Sequence, residues 1–209
     1  ARDALAFALA SELAYAVKDQ QNWDHIESTL AQWEFPESTI FDKRLGNRVD
    51  TQGFVASNHN HIIIAFCGSE SLPDWLTNFT STTEPGPFPN TFVHEGFQDA
   101  LFPVVLTIAL ALQKYNPNQN KNIWITGHSL GGALAVLLGA MLIEDEVPVQ
   151  GIYTFGAPRV GNSDFAQSFN QKGKGVFYYV VNEGDLVPHL PPKFLGFHHS
   201  GNLILFQSD

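Results

Sequence analysis

The sequence contains a single cysteine, Cys67, among its 209 residues. No disulfide can therefore form within the chain, so secretion and a cytoplasmic location are both compatible with it. Basic residues are also scarce, since 11 Lys and Arg stand against 21 Asp and Glu and give a net charge of −10. A nucleic-acid partner, or adsorption to an anionic lipid surface, would need a basic cluster, and the sequence has none.

The sequence also lacks a hydrophobic run long enough to cross a membrane. Its longest apolar run, residues 100–112, contains Pro103 and is shorter than the roughly 20 residues that span a bilayer. We therefore expect no transmembrane segment. No HExxH motif and no Cys/His cluster is present, so we expect neither a metal nor another cofactor. The chain begins at Ala1 without an initiator Met or a recognisable signal peptide, which indicates a processed or engineered start.

What the sequence does contain is an alternation of strand and helix patterns. Apolar runs such as residues 62–66 and 176–181 alternate with amphipathic stretches such as residues 96–115. This alternation predicts an α/β fold with a mostly parallel central sheet and helices on both faces. Because no linker or repeat interrupts it, we expect residues 1–209 to form one domain. An N-terminal helix over residues 3–18 is predicted by four apolar residues that recur every four positions: Leu5, Leu9, Leu13 and Val17.

The most informative stretch is the G-x-S-x-G motif of residues 127–131, centred on Ser129. A β-branched and aromatic run precedes it and an Ala/Leu-rich run follows, which predicts a strand, a sharp turn and a helix. Glycines two positions on either side of the serine let the strand and the helix pass without Cβ clashes. The turn would lift the Ser129 hydroxyl to the helix N-terminus, where the Leu130 amide and the helix dipole favour a developing oxyanion. The alternative is a tight junction whose serine only caps the helix.

A serine nucleophile needs a base, and the base needs an acid that orients it. In α/β hydrolases these groups follow the order Ser, Asp or Glu, His. Asp185 fits this order, since it lies in a tight loop after the predicted strand that ends near residue 181. Glu183, two residues earlier, is the alternative acid.

Three histidines follow the predicted acid and are candidates for the base. His189 is only four residues beyond Asp185, so one short loop would have to supply both groups. His198 and His199 precede a predicted strand, where adjacent side chains point to opposite faces. Only one of these two histidines would therefore face Ser129.

Two segments before the elbow carry further signals. The apolar run 62–66 ends in a small polar turn, and ligands of open α/β sheets bind beyond the carboxyl ends of strands, so Ser69 is placed to supply a second oxyanion donor. The next segment, residues 70–81, predicts a short helix with one apolar face. This face either packs permanently or belongs to a mobile lid that faces lipid when open. The residues of this face are Leu72, Trp75, Leu76 and Phe79.

Taken together, these motifs resemble those of the class 3 lipases, the fungal-type triacylglycerol lipase family of the α/β-hydrolase superfamily. The ordered matches run from about residue 66 to residue 201. They are Phe66-Cys67-Gly68-Ser69, Asp74-Trp75-Leu76-Thr77-Asn78, Val93-His94-Glu95-Gly96-Phe97, residues 125–135 around the elbow, Thr154-Phe155-Gly156-Ala157-Pro158-Arg159-Val160-Gly161-Asn162, and Asn182-Glu183-Gly184-Asp185-Leu186-Val187-Pro188.

The resemblance implies an α/β-hydrolase fold with Ser129 as nucleophile and Asp185 as the acid. It selects His199 as the base, because the family's catalytic histidine precedes a small residue and a glycine. It also implies an oxyanion hole formed by the Ser69 and Leu130 amides, and a lid over roughly residues 70–81.

The sequence departs from the family pattern at two places. Cys67 stands where the family usually has arginine, so a polar contact beside the oxyanion turn is expected to be missing. Residues 202–205 follow Gly201 where the family often shows an acidic residue and a tryptophan, which changes the packing expected near His199.

The function predicted from these residues is a serine carboxylester hydrolase that cleaves lipid esters, triacylglycerols first among them, through an acyl-enzyme. The expected partner is a lipid–water interface. A soluble carboxylesterase or feruloyl-type esterase, or a phospholipase A1, would use the same triad. A non-catalytic hydrolase-like lipid-binding protein is the alternative from another class.

Overall fold

The structure, a computed structural model, describes residues 2–46, 49–69 and 81–207. A seven-stranded sheet forms its centre, in the strand order β1-β2-β3-β6-β7-β9-β11. These strands are β1 (Glu37–Leu45), β2 (Val49–Ser57), β3 (His61–Phe66), β6 (Asn122–His128), β7 (Val149–Phe155), β9 (Phe177–Asn182) and β11 (Asn202–Phe206). A smaller sheet has the order β10-β8-β5-β4, from β4 (Thr83–Pro85), β5 (Phe92–His94), β8 (Gly161–Asn162) and β10 (Phe197–His198).

The pairing directions confirm the predicted parallel centre. β1, β2 and β3 pair antiparallel as a meander at one edge. From β3 onward, each neighbouring pair through β6, β7, β9 and β11 is parallel. The carboxyl ends of these five strands therefore meet at one edge of the sheet, where loops carry functional side chains in open α/β folds.

Helices lie on both faces of the large sheet, as predicted. The described helices are α1 (Arg2–Tyr15), α2 (Trp23–Gln32), α3 (Glu95–Tyr115), α4 (Leu130–Glu144) and α5 (Ser163–Gly173), with 3-10 turns at Ala16–Lys18, Gln20–Asn22, Val187–His189 and Lys193–Leu195. On one face, Phe7 of α1 packs against the Trp124 ring of β6. On the other, α4 comes so close that a Cβ on Gly139 would lie 3.7 Å from Ile125. Adjacent strand residues point to opposite faces, so α1 and α4 sandwich β6.

The buried face of α1 differs in part from the one that the sequence predicts: Val17, just beyond the helix, is buried and Leu13 is partly buried against the core, as predicted. Leu5 and Leu9 are 64% and 44% exposed, whereas Phe7 is buried. An α-helix repeats every 3.6 residues, so a strict four-residue spacing drifts around the axis and leaves the core. The face that packs on the sheet is instead made mostly of small residues: Ala4, Ala10, Ser11 and Ala14.

Helix α3 is long and apolar enough to cross a membrane by length and composition alone, the one described helix to meet that test. In this fold, Phe97, Leu101, Val104 and Ile108 of α3 are buried in the apolar cluster beneath the sheet. Burial accounts for this stripe of α3, whereas Phe102, Leu106 and Leu110 on its other side are 51%, 69% and 57% exposed.

Candidate active site

The nucleophile elbow has the strained geometry that the motif predicts. Ser129 stands between β6 and α4 with φ 54° and ψ −124°, a positive φ that non-glycine residues rarely adopt. A Cβ on Gly127 would overlap with the carbonyl oxygen of Gly131. A Cβ on Gly131 would lie 2.5 Å from the carbonyl oxygen of Phe66. Gly127 is therefore needed for the strand and the helix to pass, which confirms the predicted steric reason for that glycine, whereas Gly131 lets α4 approach the end of β3.

The backbone around Ser129 leaves the amide that follows it, that of Leu130, without an acceptor among the described residues. The Ser129 N–H donates to the Phe155 carbonyl at 2.9 Å, and the Ser129 carbonyl accepts from the Gly132 N–H at 2.9 Å. An unpaired amide in the first turn of a helix is suited to bind an oxyanion, since the helix dipole adds to its partial positive charge.

The turn after β3 packs directly on the elbow. β3 and β6 are parallel neighbours with Phe66 opposite Gly127, so their ends lie side by side. A Cβ on Gly68 would lie 2.6 Å from the His128 carbonyl oxygen. Ser69, the predicted second oxyanion donor, therefore follows at the elbow's edge of the sheet. It lines a cleft of about 530 Å³ together with His128 and Phe155.

Asp185 lies at the same edge, beyond β9. Its Oδ1 accepts from the Val187 N–H at 3.0 Å, which fixes the carboxylate within its loop. Its Oδ2 is directed at Gly156, where a Cβ would lie only 2.6 Å away. Gly156 follows Phe155, whose carbonyl holds the Ser129 amide. The structure thus brings the predicted acid to the exit of β7, beside the elbow, whereas Glu183 is exposed.

His199, the predicted base, is not joined to this pair. Its Nε2 is hydrogen-bonded to the Pro188 carbonyl at 2.7 Å, and its ring stacks on Tyr179 with 4.5 Å between centroids. Tyr179 lies three residues, about 10 Å, before the end of β9, whereas Asp185 lies beyond that end. Among the described residues, no hydrogen bond links His199 to Asp185 or to Ser129.

The electrostatic surroundings of His199 keep its ring neutral. Burial lowers the pKa of His199 to about 4, a shift that the hydrogen bond to Pro188 opposes and that Arg159, His189 and Lys193 reinforce. A ring with this pKa is unprotonated at neutral pH, as a general base must be, but it is a weak base. Charge therefore permits the predicted role, and what His199 lacks among the described residues is a hydrogen bond to Asp185 or Ser129.

The other two histidines are no better placed. His198 has its Nδ1 3.0 Å from the Gly196 carbonyl. His189 is exposed, and its carbonyl accepts from Arg159. Within the described residues, neither side chain forms a hydrogen bond with Asp185.

Two contributors to the site were missed by the sequence analysis. Arg159 is buried at 6% exposure and donates to the carbonyls of His189 and Pro191, so it ties the loop that carries the acid to the exit of β7. Tyr15, at the end of α1, places its hydroxyl 2.7 Å from Nδ1 of His128. The motif at residues 156–159 points to Arg159 only through the family resemblance. No local feature of the sequence points to Tyr15.

The predicted lid, residues 70–81, lies outside the described residues except for Ser81. Its apolar face of Leu72, Trp75, Leu76 and Phe79 therefore stays a prediction.

Comparison with known proteins gives one consistent result. The model of the class 3 lipase family matches residues 63–195. A lipase of Rhizomucor miehei is 37% identical over 161 residues, which cover 73% of this chain and 44% of that protein. A secreted mono- and diacylglycerol lipase of Fusarium solani is 34% identical over 160 residues, covering 75% of this chain and 47% of that protein. The chain thus spans about half the length of the curated relatives it matches.

Solved structures agree with the sequence relatives. The lipase of Rhizopus microsporus var. chinensis superposes with a TM-score of 0.81 at 28% identity, covering 100% of this chain and 75% of that one. The triacylglyceride lipase of Rhizomucor miehei superposes with a TM-score of 0.81 at 30% identity, covering 98% of this chain and 79% of that one. The fold is therefore the α/β-hydrolase fold, and the chain belongs to the class 3 lipase family.

Proposed function

We propose that the chain hydrolyses the carboxyl esters of lipids, with Ser129 as the nucleophile. The observation that carries this proposal is the elbow itself: a serine held at φ 54° directly before a helix whose first amide, that of Leu130, has no acceptor among the described residues. A capping serine would not need this strained backbone, since ordinary caps have extended φ and ψ.

The mechanism follows from this geometry. Ser129 Oγ attacks the acyl carbonyl while its proton passes to an imidazole that Asp185 orients. The amides of Leu130 and Ser69 hold the oxyanion, and loss of one such donor costs roughly 3–4 kcal/mol of transition-state stabilisation. The imidazolium then protonates the leaving alcohol. Water attacks the acyl-enzyme by the same steps, and the fatty acid leaves.

For the base we carry forward His199, the residue that the family resemblance selects. Its Nε2 must leave the Pro188 carbonyl before that nitrogen can accept the serine proton. His199→Gln should then lower kcat by about 10²- to 10⁴-fold, the usual contribution of a general base, and His198→Gln should not. Full activity in His199→Gln would remove His199 from the mechanism and leave the roles of Ser129 and Asp185 in place.

Acylglycerols are the substrates that the relatives support. One relative is named a lipase and another a secreted mono- and diacylglycerol lipase. A solved triacylglycerol lipase whose catalytic centre is formed by a serine protease triad covers 98% of this chain at 31% identity. We further propose action at a lipid–water interface, with residues 70–81 as the lid, and a secreted location like that of the Fusarium solani relative, which is named as secreted.

A serine-directed alkyl phosphonate tests the nucleophile. The wild-type chain should gain the mass of one phosphonyl group, on the peptide that contains Ser129, and lose its esterase activity in proportion. Ser129→Ala should stay unlabelled, whereas Ser163→Ala, which changes an N-terminal serine of α5, should label normally. Absence of labelling in a folded wild-type chain would favour the non-catalytic lipid-binding alternative.

A further inference from the structure

Tyr15 connects α1 to the elbow across 113 residues of sequence. Its hydroxyl lies 2.7 Å from Nδ1 of His128, the residue that precedes the nucleophile, and the two rings are 6.0 Å apart between centroids. A hydrogen bond of this length is well formed. It therefore fixes the orientation of the His128 ring relative to α1.

The same hydroxyl supports the oxyanion turn. A Cβ on Gly68 would overlap with the Tyr15 hydroxyl oxygen, so this oxygen lies directly against the backbone that leads into Ser69. The His128 carbonyl oxygen lies near the same position, 2.6 Å from that Cβ. The missing side chain of Gly68 therefore lets the turn pack against both Tyr15 and the elbow.

The far side of the His128 ring faces the acid. A Cβ on Gly156 would lie 3.6 Å from His128 Nε2 and 2.6 Å from Asp185 Oδ2, so both groups border one small space. Burial lowers the pKa of His128, and the nearby Asp185 carboxylate opposes this shift. If Tyr15 donates to Nδ1, the neutral ring carries its proton on Nε2, the nitrogen that faces Asp185.

We propose that Tyr15 is a positioning residue, whose hydroxyl holds the His128 ring and the Gly68–Ser69 turn so that the Ser69 and Leu130 amides converge on one point. Tyr15 acts through its neighbours and contacts no reacting atom. The role rests on the proposed ester hydrolysis. A displacement of an oxyanion donor by a fraction of an ångström is costly, since errors of about 1 Å reduce rates by about 100-fold.

The activity test compares two tyrosines that each lose one hydroxyl. Tyr15→Phe keeps the ring and removes the bond to His128, and it should lower kcat on the order of 10-fold with an unchanged KM. Tyr115→Phe is the matched control: its hydroxyl is bonded to Thr39 Oγ1 at 2.8 Å within β1, away from the elbow. It should shift the unfolding midpoint to a similar extent and leave kcat unchanged.

A raised KM with normal kcat in Tyr15→Phe would identify Tyr15 as a substrate contact and overturn the positioning role. Equal kcat values in wild type, Tyr15→Phe and Tyr115→Phe would overturn it as well. Inactivity of the wild type would instead remove the proposed function, and this role with it.

A second readout does not depend on catalysis. The ¹⁵N resonances of the His128 ring report its tautomer, and wild type should show a protonated Nε2 and a hydrogen-bonded, unprotonated Nδ1. Tyr15→Phe should shift the Nδ1 resonance and mix the tautomers. An unchanged ¹⁵N pattern in Tyr15→Phe would show that the hydroxyl does not hold the ring, whatever the activity.

Discussion

At the residue scale, Ser129 combines the proposed chemistry with an unfavourable backbone. A side chain at φ 54° costs on the order of 1–3 kcal/mol, which the surrounding strand and helix must offset. We expect Ser129→Gly to raise the free energy of unfolding by about 1 kcal/mol, because glycine adopts this φ without strain. The same change should abolish esterase activity. Urea denaturation and an ester assay on one preparation measure both effects.

Lys174 provides the matched control for Ser129→Gly. It has a left-handed φ of 48° at the end of α5 and is exposed, remote from the elbow. Lys174→Gly should stabilise the chain to a similar extent with normal activity. If Ser129→Gly lowered the stability while Lys174→Gly raised it, the φ of Ser129 would not be a source of strain.

The His199 ring gives a pH-dependent prediction. Its pKa is lowered by burial from 6.5 in the unfolded chain to about 4 in the folded one. As the pH falls through this window, the unfolded chain binds the proton first, so His199 reduces the free energy of unfolding between pH 6.5 and about 4 and no further below that. His199→Gln should remove this part of the slope. An NMR titration of His199 with a midpoint at or above 6.5 would contradict the burial described here.

Residue-scale prediction from the sequence succeeded where the physical rule is local. The need for Gly127 follows from sterics within five residues, and the structure confirms the clash with Gly131 that it avoids, whereas the clash that Gly131 avoids is with Phe66 of another strand. The contact between Tyr15 and His128 joins two points 113 residues apart, so no window of sequence contains it. The position of His199 was equally hidden, since it depends on the register between β9 and β11.

At the element scale, the site is assembled from turns that leave parallel strands at one edge. The turn after β7 must pass under the loop that carries Asp185, and Gly156 makes this possible with its φ of 57° and its missing side chain. Gly156→Ala should cost about 1–2 kcal/mol of stability from backbone strain and should also push the Asp185 carboxylate aside. We therefore expect kcat to fall at least 10-fold.

A substitution at Gly175 distinguishes the backbone strain in Gly156→Ala from the displacement of the Asp185 carboxylate. It has a φ of 82°, and a Cβ there would have no atom within 4 Å. Gly175→Ala should lose comparable stability through strain alone and keep its kcat. Equal loss of kcat in both variants would show that the effect of Gly156→Ala comes from general destabilisation rather than from Asp185.

Most elements were predictable from the sequence, and the exceptions have clear causes. The strand at residues 62–66, helix α3 and the elbow all carry strong local signals, and the structure places them within a few residues of the predicted bounds. β1 was not predicted, because Glu37–Leu45 has only one fully buried residue and mixes charged with apolar side chains. The predicted packing face of α1 was wrong at Leu5 and Leu9, which are exposed, whereas Leu13 and Val17 pack on the core as predicted.

At the scale of the whole molecule, two apolar clusters lie on opposite faces of the same strands. Phe54 and Ala65 belong to the cluster under α1 and α2, whereas Val55 and Ile64 belong to the cluster under α3 and α4. Because β2 and β3 contribute to both, neither cluster can come apart without disrupting the other. We therefore propose that the chain folds as one domain.

A single cooperative unfolding transition would express this coupling. Far-UV circular dichroism and tryptophan fluorescence should report the same urea midpoint, since the first follows all helices and strands and the second includes Trp124, whose ring packs on the α1 face. Two transitions with different midpoints would show that the faces unfold separately, against a one-domain chain.

The central claim is that Ser129 cleaves lipid esters at an interface. The most direct test is the initial hydrolysis rate of a medium-chain triacylglycerol, measured from below its solubility limit to well above it, with Ser129→Ala alongside. We predict a sharp rise in rate once droplets form, and no measurable rate for Ser129→Ala at any concentration. Saturation below the limit with no rise would contradict interfacial action, and activity in Ser129→Ala would contradict the nucleophile.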